Sequence, residues 1–241
     1  TQKDILYYAA SIEQNSEHPL SEAIIKKAKE EAISFKEIED FKYITGQGVI
    51  GNLDSNQVAL GNLKLMQYLN IDMLNAQEKA NTLREEGQTV IFIAIKNKIA
   101  GLICIADPIK DSTKYVIDCL HGMGINVVML TGDNSITAYA VANKLAINQV
   151  YADVLPQDKL NVIKDLQAEG KIVAMAGDGI NDAPALAIAN VGIAMGTGTD
   201  IAIESAEITL VKGDLRGILK AYKLSKETMK NIRQNLFFAF I

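Results

Sequence analysis

From residue 107 onward the chain alternates short apolar runs with helix-length segments, and no other feature constrains its fold as strongly. The runs fall at 127–130, 149–152, 172–175, 191–194 and 208–211. Between and around them lie segments with helical periodicity at 111–122, 135–145, 158–168, 182–189 and 199–204. Short apolar strands alternating with helices of this length imply βαβ units, hence an α/β fold with a parallel sheet covered on both faces. In such sheets the chemistry sits in loops beyond the carboxyl ends of the strands.

The stretch before residue 98 reads differently. Apolar residues Ile5, Leu6, Ala9, Ala10 and Ile12 recur at helical spacing over 4–14, and Pro19 is suited to open a second helix through Ala28. Residues 41–50 and 57–60 read as strands around turn glycines, and 71–86 as a helix capped by Gly87. Residues 90–95 and 99–105 form a strand pair joined at Lys96-Asn97-Lys98. These signals predict a smaller α+β domain on a twisted antiparallel sheet over 1–97. A parallel-sheet domain then covers 98–230, and a distinct segment covers 231–241.

The net charge of −5 and the scatter of Lys26, Lys27 and Lys29 among glutamates speak against a nucleic-acid face. Cys104 and Cys119 have neither CxxC spacing nor flanking histidines, so buried free thiols are expected. The polar opening Thr1-Gln2-Lys3-Asp4 has no secretory pattern. The run Leu236-Phe237-Phe238-Ala239-Phe240-Ile241 has the character of the first turns of a membrane helix, which needs about 20 apolar residues. Both ends read as those of an excised segment.

Two strand-end loops carry acidic clusters: Thr131-Gly132-Asp133-Asn134, and Gly177-Asp178-Gly179-Ile180-Asn181-Asp182-Ala183-Pro184. Each follows an apolar strand and turns on glycines, which let the backbone approach a ligand. Asp178 and Asp182 are candidates to place oxygens around one Mg²⁺, an ion that takes one or two carboxylates together with phosphate oxygens and water. Lys159 offers a compact cation for a transferring phosphoryl group. Alone, Asp133 would pass for a helix cap and Lys159 for a surface lysine; together the loops favour phosphoryl transfer.

The two loops, in this order and with the Leu155-Pro156-Gln157-Asp158-Lys159 segment between them, resemble the phosphorylation-domain motifs of P-type ATPases, members of the haloacid dehalogenase-like superfamily. The resemblance implies that Asp178 ligates the catalytic Mg²⁺ and that Asn181 and Asp182 support the phosphate site and the ion's water. It assigns Thr131, Gly132 and Lys159 to the phosphoryl oxygens and Asp133 to the ATP and hinge side. Asp107-Pro108 resembles the hinge between nucleotide and phosphorylation domains, with Lys110 where the family usually has arginine.

Ser16-Glu17-His18-Pro19-Leu20 resembles the signature of the heavy-metal branch. Gly46-Gln47-Gly48-Val49-Ile50-Gly51 and Gly61-Asn62 are similar to that branch's nucleotide-domain loops. The GxGxxG form does not open a helix inside a βαβ unit, so a dinucleotide fold is not implied. The implied ATP site comprises Glu13, His18, Gly46, Gly48, Gly51, Gly61 and Asn62. A glutamate accepts from the adenine amino group, and an imidazole stacks on the base. The run 231–236 with its aromatic tail is most similar to the copper(I) exporters, with zinc/cadmium pumps as the alternative. Such proteins are integral to the cell membrane with these domains in the cytoplasm. Their phosphorylated Asp-Lys-Thr-Gly-Thr run is absent, and the resemblance puts it just before Thr1.

Two other readings compete. One is a standalone phosphatase with Asp107 as nucleophile, although Pro108 follows directly and Ile109 stands where a second acid would be needed. The other is a non-catalytic nucleotide-binding module, whose ATP affinity would depend on His18 and not on Asp178.

Overall fold

The computed structural model describes residues 1–14, 16, 19–105 and 108–240. Two compact units follow one another along the chain, Thr1–Asp107 and Pro108–Ile241.

In the first unit, helix α1 (Gln2–Glu13) starts at Thr1, whose hydroxyl accepts from Asp4 N while the Asp4 carboxylate reaches back, a reciprocal cap. Helix α2 (Pro19–Glu30) keeps Lys26, Lys27 and Lys29 exposed, as the charge pattern predicts. Strands β1 (Glu39–Ile44), β2 (Gly48–Leu53) and β3 (Asn56–Gly61) lead to helices α3 (Leu63–Tyr68) and α4 (Ala76–Glu85). Strands β4 (Thr89–Ile95) and β5 (Lys98–Ile105) complete an antiparallel sheet in sequential order. The expected strand over 41–50 is two strands, because Gly46 (φ 69°) turns the chain between them. The 71–86 helix begins only at Ala76, and α3 was not foreseen.

Helices α1 and α2 cover one face of this sheet through Ala9, Ile12, Ile24, Val49, Val58, Leu60 and Ile93; α3 and α4 cover the other through Leu65, Met66, Ala80 and Phe92. Strand β5 pairs with β4 along its whole length through a two-residue turn at Lys96-Asn97, both left-handed. The first unit therefore reaches Asp107, about ten residues beyond the boundary read from the sequence. Strand β5 is also an edge, and it turns Cys104 outward. Cys104 is exposed and Cys119 half-buried, so the thiols are free but not buried as expected.

The second unit opens with helix α5 (Asp111–Gly122), strand β6 (Val128–Leu130), helix α6 (Ser135–Leu145), strand β7 (Gln149–Tyr151) and helix α7 (Pro156–Ala168). Strand β8 (Ala174–Gly177), a 3-10 turn (Ile180–Asp182), helix α8 (Ala183–Ile188) and strand β9 (Val191–Met195) follow. Helix α9 (Asp200–Glu204), strand β10 (Ile208–Leu210) and helix α10 (Arg216–Ala239) close the unit. All its pairings are parallel, as the alternation predicts.

The sheet is in two pieces, β6-β7 and β10-β9-β8. Leu130 of β6 nevertheless packs on the core of Ile163, Met175, Ala185 and Leu186 that covers the other piece. Among the described residues no strand joins β6 to β8, so each presents an unpaired edge. Parallel strands are ordinarily flanked and buried.

Helix α10 runs through 230–231 without a break. Its second half is exposed, including Leu236, Phe237 and Phe238, as is Phe240 just past its end. Among the described residues no helix is long and apolar enough to cross a membrane.

Candidate active site

The second unit's acidic loops are tied to one helix. The β6–α6 loop is held by Thr131 N donating to Tyr151 O (2.9 Å), Val154 N to Thr131 O (3.1 Å) and Asp153 N to Asp133 O (2.8 Å). Asp133 N also donates to Thr131 Oγ1 at 3.1 Å, and Asn134 caps α6 through Ile136 N. Leu155 then stands at the N-cap position of α7 without a side-chain cap bond, and Pro156 occupies its first turn, where a missing N–H costs nothing. One turn on, Lys159 Nζ donates to Asp182 Oδ1 at 2.7 Å. The residues leading into α7, Asp153 and Val154, thus hold the Thr131 loop, and Lys159 in its first turn holds the Asp182 loop.

Asp182 is 7% exposed, and both its oxygens are engaged. Oδ2 accepts from Gly179 N (3.1 Å) and Asp178 N (3.3 Å), folding the loop back on itself. A Cβ at Gly177 would lie 2.7 Å from Asp182 Cβ, so glycine is required for that fold-back. Asp178 is exposed at the apex, and its backbone carbonyl accepts from Thr199 N at 2.9 Å. A Cβ at Gly198 would lie 2.4 Å from that carbonyl oxygen. Gly198 and Thr199, between β9 and α9, brace the loop from behind and were missed by the sequence reading. Their only signal was the Gly-Thr-Gly-Thr repeat at 196–199. Asn181 is exposed beside Asp178.

The two candidate magnesium ligands therefore differ. Asp178 presents a carboxylate to solvent, whereas Asp182 spends its carboxylate on Lys159 and two N–H groups. Among the described residues no three His, Cys, Asp or Glu side chains cluster. A single exposed carboxylate on a glycine-permitted turn fits a hard oxygen-seeking ion that draws its other ligands from phosphate and water. When bound, Mg²⁺ would neutralise developing phosphate charge from Asp178.

In the first unit Gly46, Gly48, Gly61 and Asn62 meet at one corner. Gly48 and Gly61 are register partners across β2 and β3. A Cβ on Gly48 (φ 142°) would lie 2.2 Å from Leu60 O, and one on Gly61 2.2 Å from Gln47 O. Asn62 donates from Nδ2 to Gly46 O (2.8 Å) while its Oδ1 caps α3 through Leu65 N (3.2 Å). Gly51 lies mid-strand, where a Cβ would meet the Ile38 side chain at 2.8 Å, so packing accounts for it.

Close backbone approach alone requires glycine at 48 and 61. Gly48→Ala is expected to destabilise the first unit by about 3 kcal/mol or more, since strained backbone adds to an overlap that the sheet cannot relax. Urea unfolding by circular dichroism would measure it, and an unchanged midpoint would show that the corner yields.

Glu13 ends α1 and is 6% exposed; Oε2 accepts from the Ser21 hydroxyl. His18, Glu17 and Asp107 lie outside the described residues. Lys110, at the position where arginine was expected, donates to Gly213 O at 3.3 Å.

Residues 3–190 match the family model for haloacid dehalogenase-like hydrolases. A copper-exporting P-type ATPase of Legionella pneumophila is 54% identical over 98% of this chain, and a silver-exporting P-type ATPase of Salmonella typhimurium is 52% identical over 98%. The chain spans about a third of the length of these curated relatives, 32% and 29%. Among solved structures, the catalytic domain of the CPx-ATPase CopB-B superposes with a TM-score of 0.68 at 31% identity, covering 91% of this chain and 78% of that one. A zinc-transporting PIB-type ATPase superposes with a TM-score of 0.65 at 33% identity, covering 98% of this chain and 38% of that one.

The chain belongs to the haloacid dehalogenase-like hydrolase family. Within that family it is of the heavy-metal P-type ATPase kind, an enzyme class, and its two units correspond in fold to the nucleotide-binding and phosphorylation domains.

Proposed function

We propose that this chain is the ATP-binding and Mg²⁺-dependent phosphoryl-transfer part of a copper(I)-exporting membrane pump. The observation that carries the proposal is the ion pair of Lys159 with Asp182. It ties the Asp182 loop to the start of α7, whose preceding residues Asp153 and Val154 bind the Thr131 loop, and it leaves Asp178 facing solvent. An ammonium has three donors, so Lys159 keeps two for phosphoryl oxygens while Asp182 fixes its position. Thr131 and Gly132 add a hydroxyl and an exposed backbone to the same end, and Asn181 an amide. Asp133 turns the chain toward α6. Together these groups orient a terminal phosphate and offset its charge, the main tasks in phosphoryl transfer.

The nucleotide is assigned to the first unit, with its base at Glu13 and His18 and its phosphates passing Gly46, Gly48, Gly61 and Asn62. The names of the relatives support copper, and the silver exporter favours a soft monovalent ion, hence copper(I), over zinc or cadmium. In the whole pump these units would lie on the cytoplasmic face, and 231–241 would lead into a membrane helix.

Mg²⁺-dependent ATP titration by calorimetry tests the reading. His18→Ala is expected to weaken ATP at least about tenfold, roughly 1.4 kcal/mol. Unchanged affinity would remove His18 from the site, and absence of binding by the unaltered chain would remove the nucleotide assignment altogether.

A further inference from the structure

We infer that Ser21 is a positioning residue for the Glu13 carboxylate and, resting on the nucleotide site proposed above, that the pair makes the first unit prefer 6-aminopurine over 6-oxopurine nucleotides. Glu13 is the last residue of α1, and its carboxylate stands at the negative end of that helix dipole. It is also almost fully buried, 6% exposed. A carboxylate in such a place requires hydrogen-bond donors. Among the described residues one side chain supplies a donor: Ser21, in the first turn of α2 and only 3% exposed, gives its hydroxyl proton to Oε2.

That hydroxyl is not free to wander. Ile12 and Ile24, beside and one turn beyond the pair, lie in the core cluster that packs α1 and α2 on the sheet, and both are 2% exposed or less. The helices therefore set where Ser21 points, and Ser21 sets the rotation of the carboxylate. Oε1 accepts no hydrogen bond from any described residue, and in the proposed site it is the acceptor assigned to the ligand. An exocyclic amino group donates to such an oxygen. A 6-oxo group presents a second acceptor and is repelled.

Calorimetric titration of the whole chain with Mg-ATP and Mg-GTP reads both affinities. The unaltered chain is expected to prefer ATP. Ser21→Ala is expected to narrow the ATP-to-GTP ratio by about fivefold, mostly through weaker ATP, as befits one oriented hydrogen bond. Ser21→Thr, which keeps the hydroxyl, is expected to retain the ratio. Should Ser21→Ala not fold, Ser21→Cys keeps the volume, weakens the donor and is expected to narrow the ratio likewise.

A purely structural serine would lower both affinities together or neither, and that result overturns the inference. ATP binding without preference over GTP overturns it too, while leaving the nucleotide site standing. No binding of either nucleotide overturns both.

Discussion

Incubated with γ-labelled ATP and Mg²⁺, this chain is expected to acquire no acid-stable phosphate. An aspartyl-phosphate intermediate divides one difficult transfer into two easier ones, and it needs its carboxylate nucleophile. The family's Asp-Lys-Thr-Gly-Thr run occurs nowhere in the 241 residues. The groups proposed around Lys159 would hold and neutralise phosphate, but none of them stands where the family's phosphorylated aspartate does. The open edges of β6 and β8 are where an additional parallel strand would fit. A longer chain carrying that run ahead of Thr1 is therefore expected both to label and to melt at a higher temperature. Hydroxylamine-sensitive label on the 241-residue chain would refute this, and label mapped to Asp107 would instead favour a standalone phosphatase.

The second large effect is on stability. Asp182→Ala removes the acceptor for Lys159 and for two loop N–H groups at once. The side chains of the pair are only 10% and 16% exposed, so an unpartnered ammonium is left in poorly hydrated surroundings. Breaking a pair of this kind costs about 3 kcal/mol. Equilibrium urea unfolding should show the midpoint falling with an unchanged slope. Lys159→Met, which removes the charge but leaves the loop bonds to Oδ2, should cost less than Asp182→Ala. Equal losses would mean that the ion pair, and not the loop, carries the energy. In a longer, phosphorylatable chain both changes are expected to depress labelling.

Much of this was legible in the residues. Helix 135–145 is marked at its start by Asn134, and its apolar positions repeat at helical spacing, so its limits were read without error. The parallel character of the second unit followed from alternation alone. Contacts divide the chain after Asp107 where the sequence suggests residue 97, because Lys96-Asn97 reads equally well as a domain edge and as a hairpin turn. Pairing of β5 with β4 decides between them, and pairing is a long-range property. Helix α3 escaped because it follows a strand directly and depends on Asn62 as its cap, a residue already given another task.

The site was legible as a set of residue types but not as a set of roles. Asp178 and Asp182 are the same amino acid four positions apart, and spacing cannot tell which one is consumed by the protein. Burial and the Lys159 contact make that distinction. Gly198 was invisible for a related reason. Its constraint is a carbonyl oxygen some twenty residues earlier in the chain, and no local pattern announces such a contact.

Helix α7 imposes a further constraint on how the sequence can vary. Val154, just before its N-cap, is held by the Thr131 loop, and Lys159 in its first turn by the Asp182 loop. One residue inserted or deleted between them would swing Lys159 by about 100° around the helix axis and remove it from its partner. Substitutions in this stretch are open wherever side chains face solvent, but its length is not. Relatives sharing this fold should accumulate indels freely elsewhere on the surface and almost none between 154 and 159.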